Sequence, residues 1–371
     1  MQNTTVHAID EHSIERAIEN PLLTVADVKP TIRELCAVGI FNPTCVKTAD
    51  GVILLCRLAE SAVTPDNIDN SANPDNSAEI KIPTGASGGK ISFTTFNKYN
   101  MSIDVSDNRV IKDSRTQRVL ALSSFSTIRK AVSKDGIHFT LDDTPVFFPN
   151  SSDEEWGTED PRITILENKY YITYSAVSHN GVGVVLCETT DFVNFTRHGM
   201  IIPPQNKDAV LFPEKIGGKY FLLHRPVTDG LGACDIWIAE SADLIHWGNH
   251  KHVAGCDTGH DWEIAKIGAG APPIRIREGF LVLYHGVDYS QCYRVGALLL
   301  DAAHPERVIA RTAKPIFEPE MPYERKGFFA NTVFPCGAFL LGEKLVVYYG
   351  GADCCVCRAD IPLEKIMDLL V

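Results

Sequence analysis

The feature that most constrains the fold is a repeat. A proline, a short strand, a Gly/Glu/Asn turn and a second strand recur five times: Pro43 to Arg57, Pro161 to Tyr174, Pro213 to Arg225, Pro273 to His285 and Pro335 to Tyr349. Each copy reads as a hairpin, with turn residues such as Glu167-Asn168 or Gly217-Gly218 between alternating apolar runs. A second pattern, Ser/Thr-x-Asp-x-x-x-Phe/Trp, recurs at Ser133-Asp135-Phe139, Thr189-Asp191-Phe195 and Ser241-Asp243-Trp247. Its aromatic residues lie 56 and 52 residues apart, and an Asp turn followed by an aromatic closes an outer hairpin and fills its core. A period of this size with about four strands per unit describes a propeller blade. The expectation is therefore an all-β chain folded as a five-bladed β-propeller. A two-layer sandwich is also all-β, but it leaves so regular a period unexplained.

Three segments stand outside the repeat. Residues 1–37 read as a helical N-terminal extension, because Ile14, Ala17 and Ile18 recur at helical spacing before Pro21. Residues 58 to about 115 are too long for one connection and read as a rim insertion in the catalytic domain, 38–371. Within the insertion, Thr64 to Ala78 is polar, whereas Ile80–Ile82 and Ile91–Phe96 suit extra strands. Pro362 to Leu370 suits a short closing helix.

Composition excludes several classes. A net charge of −12 with no Lys/Arg-rich run argues against nucleic acid as a partner. No apolar run approaches a membrane span, and charges throughout the first thirty residues argue against a secretory signal. The 11 cysteines are odd in number and irregularly spaced, which fits reduced, mostly buried thiols in a cytoplasmic protein. Cys354, Cys355 and Cys357 fall on one strand whose alternate residues face opposite sides, so no metal site is expected.

Inner strands of a propeller converge on its axis, so residues at matching positions of different repeats should meet. The positions before the repeated prolines hold Asn42, Asp160, Phe212, Pro272 and Phe334; the following strand ends hold Arg57, Tyr174, Arg225, His285 and Tyr349. Only Asp160 is acidic among the first set. Proline restricts its predecessor toward extended backbone, which would hold Asp160 rigidly at a strand mouth. Taken alone, the Glu159-Asp160-Pro161-Arg162 fragment also fits a strand-entry turn closed by an Asp160–Arg162 ion pair. Arg225 and His285, with Lys266 nearby, make a cationic cluster that is costly unless an anion binds. Read singly, Arg225 could pair with Glu214 or Asp235, His285 could be a core histidine and Lys266 a solvated one. Glycoside hydrolysis ordinarily uses two carboxylates. One acid facing a basic pocket suits phosphorolysis better, with inorganic phosphate as the nucleophile.

Six stretches resemble glycoside hydrolase family 130: Glu159-Asp160-Pro161-Arg162, Leu211 to Lys215, His224-Arg225-Pro226, Lys266 to Gly270, Tyr284 to Val287 and Tyr348 to Asp353. The resemblance spans residues 38 to 365. Ser126-Thr127-Ile128-Arg129 before Ser133-Lys134-Asp135-Gly136 is most similar to the β-1,2-oligomannan phosphorylase branch, to which the protozoan mannosyltransferase/phosphorylase group that builds mannogen is related. The resemblance implies a five-bladed propeller acting on β-mannosides, with Asp160 as the general acid. It also implies that Asn42, Arg57 and Asp353, with Arg129 and Tyr349, hold the sugar. Arg225, Lys266 and His285 would bind phosphate, with Asn206, Lys207 and Asp208 alongside. Cys45 departs from the pattern, standing where a small residue is expected.

The function expected is that of an inverting β-1,2-mannoside phosphorylase. It would use phosphate and a β-1,2-linked mannooligosaccharide, release α-mannose 1-phosphate, and elongate oligomannan in reverse. No cofactor is expected, and a homo-oligomer is compatible. The alternatives are a transferase using GDP-mannose, a phosphate-independent β-mannosidase and a non-catalytic sugar-binding propeller.

Overall fold

The computed structural model describes residues 14–63, 79–86, 89–107, 109–228, 230–256 and 259–371. The chain is all-β, and its strands fall into five antiparallel units that follow the repeat. The first unit comprises Leu35–Thr48, Gly51–Ala62, Phe125–Ser133 and Thr140–Phe147. The second comprises Gly157–Leu166, Lys169–Ser178, Gly181–Thr189 and Thr196–Ile202. A single parallel bridge, Gly157 to Ser126, joins these two into one eight-stranded sheet. The third unit runs Asn206–Leu211, Tyr220–Pro226, Ile236–Ser241 and Trp247–Ala254. The fourth has Lys266–Ala269 and Ile274–Ile276 on one edge, then Gly279–Val287, Tyr293–Leu300 and Val308–Arg311. The fifth has Val333–Leu341, Lys344–Gly351 and Cys355–Pro362.

The fifth unit takes its outer strand from the other end of the chain: Glu15–Arg16 pairs with Asp360 and Ala359. The helix expected over residues 1–37 is therefore absent from 14 onward, and residues 1–13 lie outside the described residues. The unpaired edge of Cys355–Pro362 gives this segment backbone partners that a helix would forgo. Arg16 fixes it further, with 2.8 Å ion pairs to Glu320 and Glu324.

Apolar packing lies between units. Five clusters of buried side chains are each shared by two neighbours: first with second, second with third, third with fourth, fourth with fifth, and fifth with first. The Asp turns and their aromatics serve these cores. Asp135 Oδ1 accepts the N–H groups of Ile137 and His138, and Phe139 meets Tyr348 edge-on at 5.8 Å. Residues of the insertion form a hairpin, Glu79–Ala86 with Lys90–Asn97, and a small sheet of Ile103–Asp104, Val110–Asp113 and Val119–Leu122. The expected polar excursion, Thr64 to Ala78, lies outside the described residues. The closing helix is Leu363–Leu369. No described helix is long and apolar enough to cross a membrane.

Candidate active site

Three inner strands break their ladders in the same way. Register shifts fall between Phe41 and Thr44, between Glu159 and Arg162, and between Lys207 and Val210. At each bulge one residue adopts left-handed backbone: Asn42 (φ 48), Asp160 (φ 49) and Asp208 (φ 54). Asn and Asp tolerate this region best among residues with a Cβ, and the bulge turns the side chain out of the sheet. Asp160 is thus left-handed rather than extended, because the bulge overrides the preference set by Pro161. In the third unit the matching residue is Asp208, not Phe212, whose ring is buried 5.0 Å from that of Phe280.

The three bulges open on a cleft of about 170 Å³ lined by Asn42, Arg57, Asp160, Lys207, Asp208, Arg225, His285 and Asp353. Arg109, Tyr293, Phe329, Thr332 and Phe334 complete it. Sequence reasoning missed Arg109, Tyr293, Phe329 and Thr332, which sit in the insertion or at strand ends outside the repeat. A larger groove of about 670 Å³ between the first two units is lined by Val52, Ile53, Tyr170 and Phe192 and by Asp50, Lys134, Asp135, His138 and Asp191, of which Asp135 and Asp191 are bound within the repeated Asp turns.

Asp160 is buried and surrounded by donors. Its Oδ1 accepts from Asn42 Nδ2 at 2.8 Å and Arg57 Nη1 at 3.3 Å, and Lys207 Nζ lies 3.9 Å from Oδ2. Burial favours the neutral acid, but Arg57, Lys207 and Arg162 outweigh it and hold the carboxyl below its usual range. Arg57 also clasps Glu159 at 2.6 Å. The expected Asp160–Arg162 ion pair does not form. Arg162 donates to the backbone oxygens of Gly270 (2.5 Å) and Asp160 (2.7 Å), bracing the bulge from behind. Asp353, also left-handed at φ 51, has its pKa pushed up to about 7. Burial is the main cause, Asp160 and Glu159 add to it, and Arg57 and Lys207 oppose it.

Across the cleft, Asp208 accepts from Arg225 Nε at 2.7 Å and faces His285 Nε2 at 3.6 Å. It is therefore the partner of Arg225, while Glu214 faces Arg275 and Asp235 faces His252. Burial opposes its ionisation, yet Arg225 first, with Lys207 and Arg162, keeps it well below the usual range. Burial lowers His285 to about 3, so this imidazole is neutral, its ring 4.6 Å from that of Phe334 and tilted by 33°. Burial, with Arg225 and Lys207, lowers Lys266 to about 8, and its ammonium lies 4.9 Å from the Tyr293 ring centroid. Asn42 Oδ1, Arg162 Nη2, Asp208 Oδ1 and His285 Nδ1 are buried without a hydrogen-bond partner. Arg162 Nη2 and Asp208 Oδ1 face each other at 3.9 Å, so Asn42 Oδ1 and His285 Nδ1 are the polar edges that a ligand can complete.

Four residues expected to converge on the site are committed elsewhere. Tyr349 is buried in the core of the last two units, with its hydroxyl on Glu324 at 2.7 Å, because strand alternation turns it away from the cleft. Tyr174 likewise gives its hydroxyl to Glu154. Arg129 is spent on the backbone oxygens of Asp142, Asp143 and Lys29 and on Thr31 Oγ1. Asn206 faces His224 Nδ1 at 3.0 Å instead of the cleft. Cys45 is buried beside Gly337, between the fifth and first units, and does not line the cleft.

Comparison with known proteins agrees with this constellation. A family model for glycoside hydrolase family 130, described as β-1,4-mannooligosaccharide phosphorylase, matches residues 87–371. The chain is 39% identical over 361 residues to a β-1,2-mannobiose phosphorylase of Listeria innocua, covering 96% of this chain and 98% of that one. It is 40% identical over 244 residues to a 1,2-β-oligomannan phosphorylase of a Thermoanaerobacter species, covering 65% and 80%. The solved structure of the Listeria enzyme with β-1,2-mannobiose superposes with a TM-score of 0.90 at 38% identity, covering 96% and 99%. A match of this extent, over a chain whose bulges gather buried carboxylates beside a cationic pocket, has one reading: the chain belongs to glycoside hydrolase family 130.

Proposed function

We propose that this chain is an inverting β-1,2-mannoside phosphorylase built on a five-bladed propeller. The propeller reading is supported by the five apolar cores, which link the units in a closed cycle. The functional reading rests on one observation above the others: of the two acidic bulges in the cleft, Asp208 is tied to Arg225 at 2.7 Å, which leaves Asp160 as the acid facing Lys207, Arg225 and His285.

Phosphate seated among Arg225, Lys266 and Lys207, with the neutral His285 as a hydrogen-bonding partner, attacks the anomeric carbon of the mannosyl unit. The bond from that carbon to the leaving oxygen breaks, and Asp160 supplies the proton, directly or through a sugar hydroxyl. The configuration inverts and α-mannose 1-phosphate forms. Asn42, Arg57 and Asp353 hold the sugar over Asp160. In the empty site Asp160 is ionised by its cationic neighbours. A bound phosphate anion offsets that positive charge and raises the carboxyl's affinity for a proton in the ternary complex. Substrate binding therefore arms the acid. Because the reaction exchanges one glycosyl bond for another, the same site elongates oligomannan from mannose 1-phosphate.

The test is to incubate the protein with β-1,2-mannobiose with and without phosphate, and with mannose plus either mannose 1-phosphate or GDP-mannose. Mannose 1-phosphate appearing only when phosphate is present is the expected result. Phosphate-independent cleavage, or elongation from GDP-mannose alone, would replace this reading with a hydrolase or a nucleotide-sugar transferase.

A further inference from the structure

Arg109 is the insertion's contribution to the cleft. It stands at the start of Val110–Asp113, while the cleft's other lining residues belong to the five units or the links between them. Asp107 binds its Nε at 3.0 Å and its Nη2 at 2.8 Å, which leaves the Nη1 edge uncommitted to that carboxylate. The guanidinium lies 4.7 Å from the Phe329 ring centroid. Phe329 in turn meets Tyr293 edge-on at 5.4 Å, and its backbone N–H donates to Ala352, next to Asp353. A planar donor fixed beside two aromatic rings is the usual equipment for a neutral sugar, whose hydroxyls need donors and whose C–H face needs a ring.

The charges around Arg109 differ from those of the anion pocket. Besides Asp107, those acting on it are Tyr293 and Asp353. Lys266 and His285 are shifted mainly by burial and then by Arg225, Lys207 and Asp208, and both also border Tyr293, whose ring lies 5.7 Å from that of His285. Arg109 is partly exposed and lies near the sugar-holding Asp353, and Tyr293 is shared between it and the phosphate-side Lys266 and His285.

We propose that Arg109 is a specificity residue of the leaving-group subsite, donating from Nη1 to a hydroxyl of the departing mannosyl unit while Phe329 and Tyr293 cover that sugar's apolar face. The inference rests on the phosphorylase reading and goes beyond it in assigning the acceptor side to the insertion. Acceptor preference would then be set by a segment separate from the machinery that binds phosphate.

The experiment compares the full-length protein with Arg109→Ala and Asp107→Asn in both directions. For Arg109→Ala the KM for β-1,2-mannobiose, and for mannose as acceptor in synthesis, should rise about tenfold or more. The KM values for phosphate and mannose 1-phosphate should stay within about twofold. Asp107→Asn keeps the guanidinium but loosens it, so the same split should appear with a smaller size. A rise confined to the phosphate KM would make Arg109 a phosphate ligand and overturn the proposal. Unchanged kinetics in both variants would overturn it as well. If the unmodified protein forms no mannose 1-phosphate from mannobiose, the phosphorylase reading falls first and the proposal falls with it.

Discussion

The two walls of the cleft use one backbone device to opposite electrical ends. On one wall, Asn42 and Asp160 sit on bulges; on the other, Asp208 does, and all three are left-handed. Both walls also rely on a glycine to admit the bulged side chain. A Cβ at Gly350 would come within 2.3 Å of Asn42 Oδ1, and one at Gly268 within 2.5 Å of Asp208 Oδ2. The surroundings then diverge. On the Asp160 wall, Glu159, Asp160 and Asp353 share chiefly Arg57, so negative charge is in excess. On the Asp208 wall, one carboxylate is shared among Arg225, Lys207 and Arg162, with Lys266 close by, so positive charge is in excess. The geometry is common, and the difference in charge lets one wall hold protons while the other recruits an anion.

The sharpest way to break this contrast is to neutralise each bulged aspartate in turn. Asp160→Asn should reduce kcat by roughly 10²–10⁴-fold, the usual range for a general acid, with little change in the KM for phosphate. Asp208→Asn should act differently. It leaves Arg225 without its buried partner, and breaking such pairs typically costs about 3–5 kcal/mol of stability. A large fall in melting temperature and an altered phosphate KM are expected there, with a smaller loss of kcat. If both variants lost kcat alike and kept their stability, the two walls would not be functionally distinct.

Much of this contrast was legible in the sequence, and the missing parts have physical causes. Asp160, Arg225 and His285 are found by the repeat because each sits beside a proline or at the end of a hairpin strand. Asp208 was placed only by resemblance. Its bulge is followed by Ala209 where the others have Pro43 and Pro161, so the proline marker pointed four residues on, to Phe212. Tyr349 stands at the strand end that the repeat marks, but its side chain alternates onto the face buried between the last two units. Arg129 and Asn206 lie in the right segments, but their partners, Lys29, Thr31 and His224, are set by tertiary packing. Arg109 belongs to no repeat, so no periodic signal could have found it.

A finer test concerns the positive wall alone. Lys266 is lowered to about 8, mainly by burial and then by Arg225 and Lys207, so its ammonium is lost as pH rises through that value. The KM for phosphate should climb above pH 8, by up to tenfold per unit, and Lys266→Met should give a higher but flatter profile. An equally steep rise in Lys266→Met would remove the lysine from phosphate binding and weaken the charge contrast.

The smallest effect probes the negative wall. Asp353 has its pKa raised to about 7, chiefly by burial and also by Asp160 and Glu159. Between the ordinary carboxylate range and pH 7 the folded protein retains a proton that the unfolded chain releases. Stability must therefore fall as pH rises through this window, and the cost is fully present above about 7. Asp353→Asn cannot ionise, so it should melt a few degrees above the parent at pH 8, the difference shrinking toward pH 4. A gap of equal size at both pH values would mean that the asparagine simply packs better. A gap that closes with acid would show that this wall stores unfavourable charge in the empty cleft. Bound sugar, by supplying hydroxyl donors to Asp353, would then relieve part of that cost on binding, which gives the strained carboxylate a role in holding substrate and explains why it lies opposite Arg57 instead of paired like Asp208.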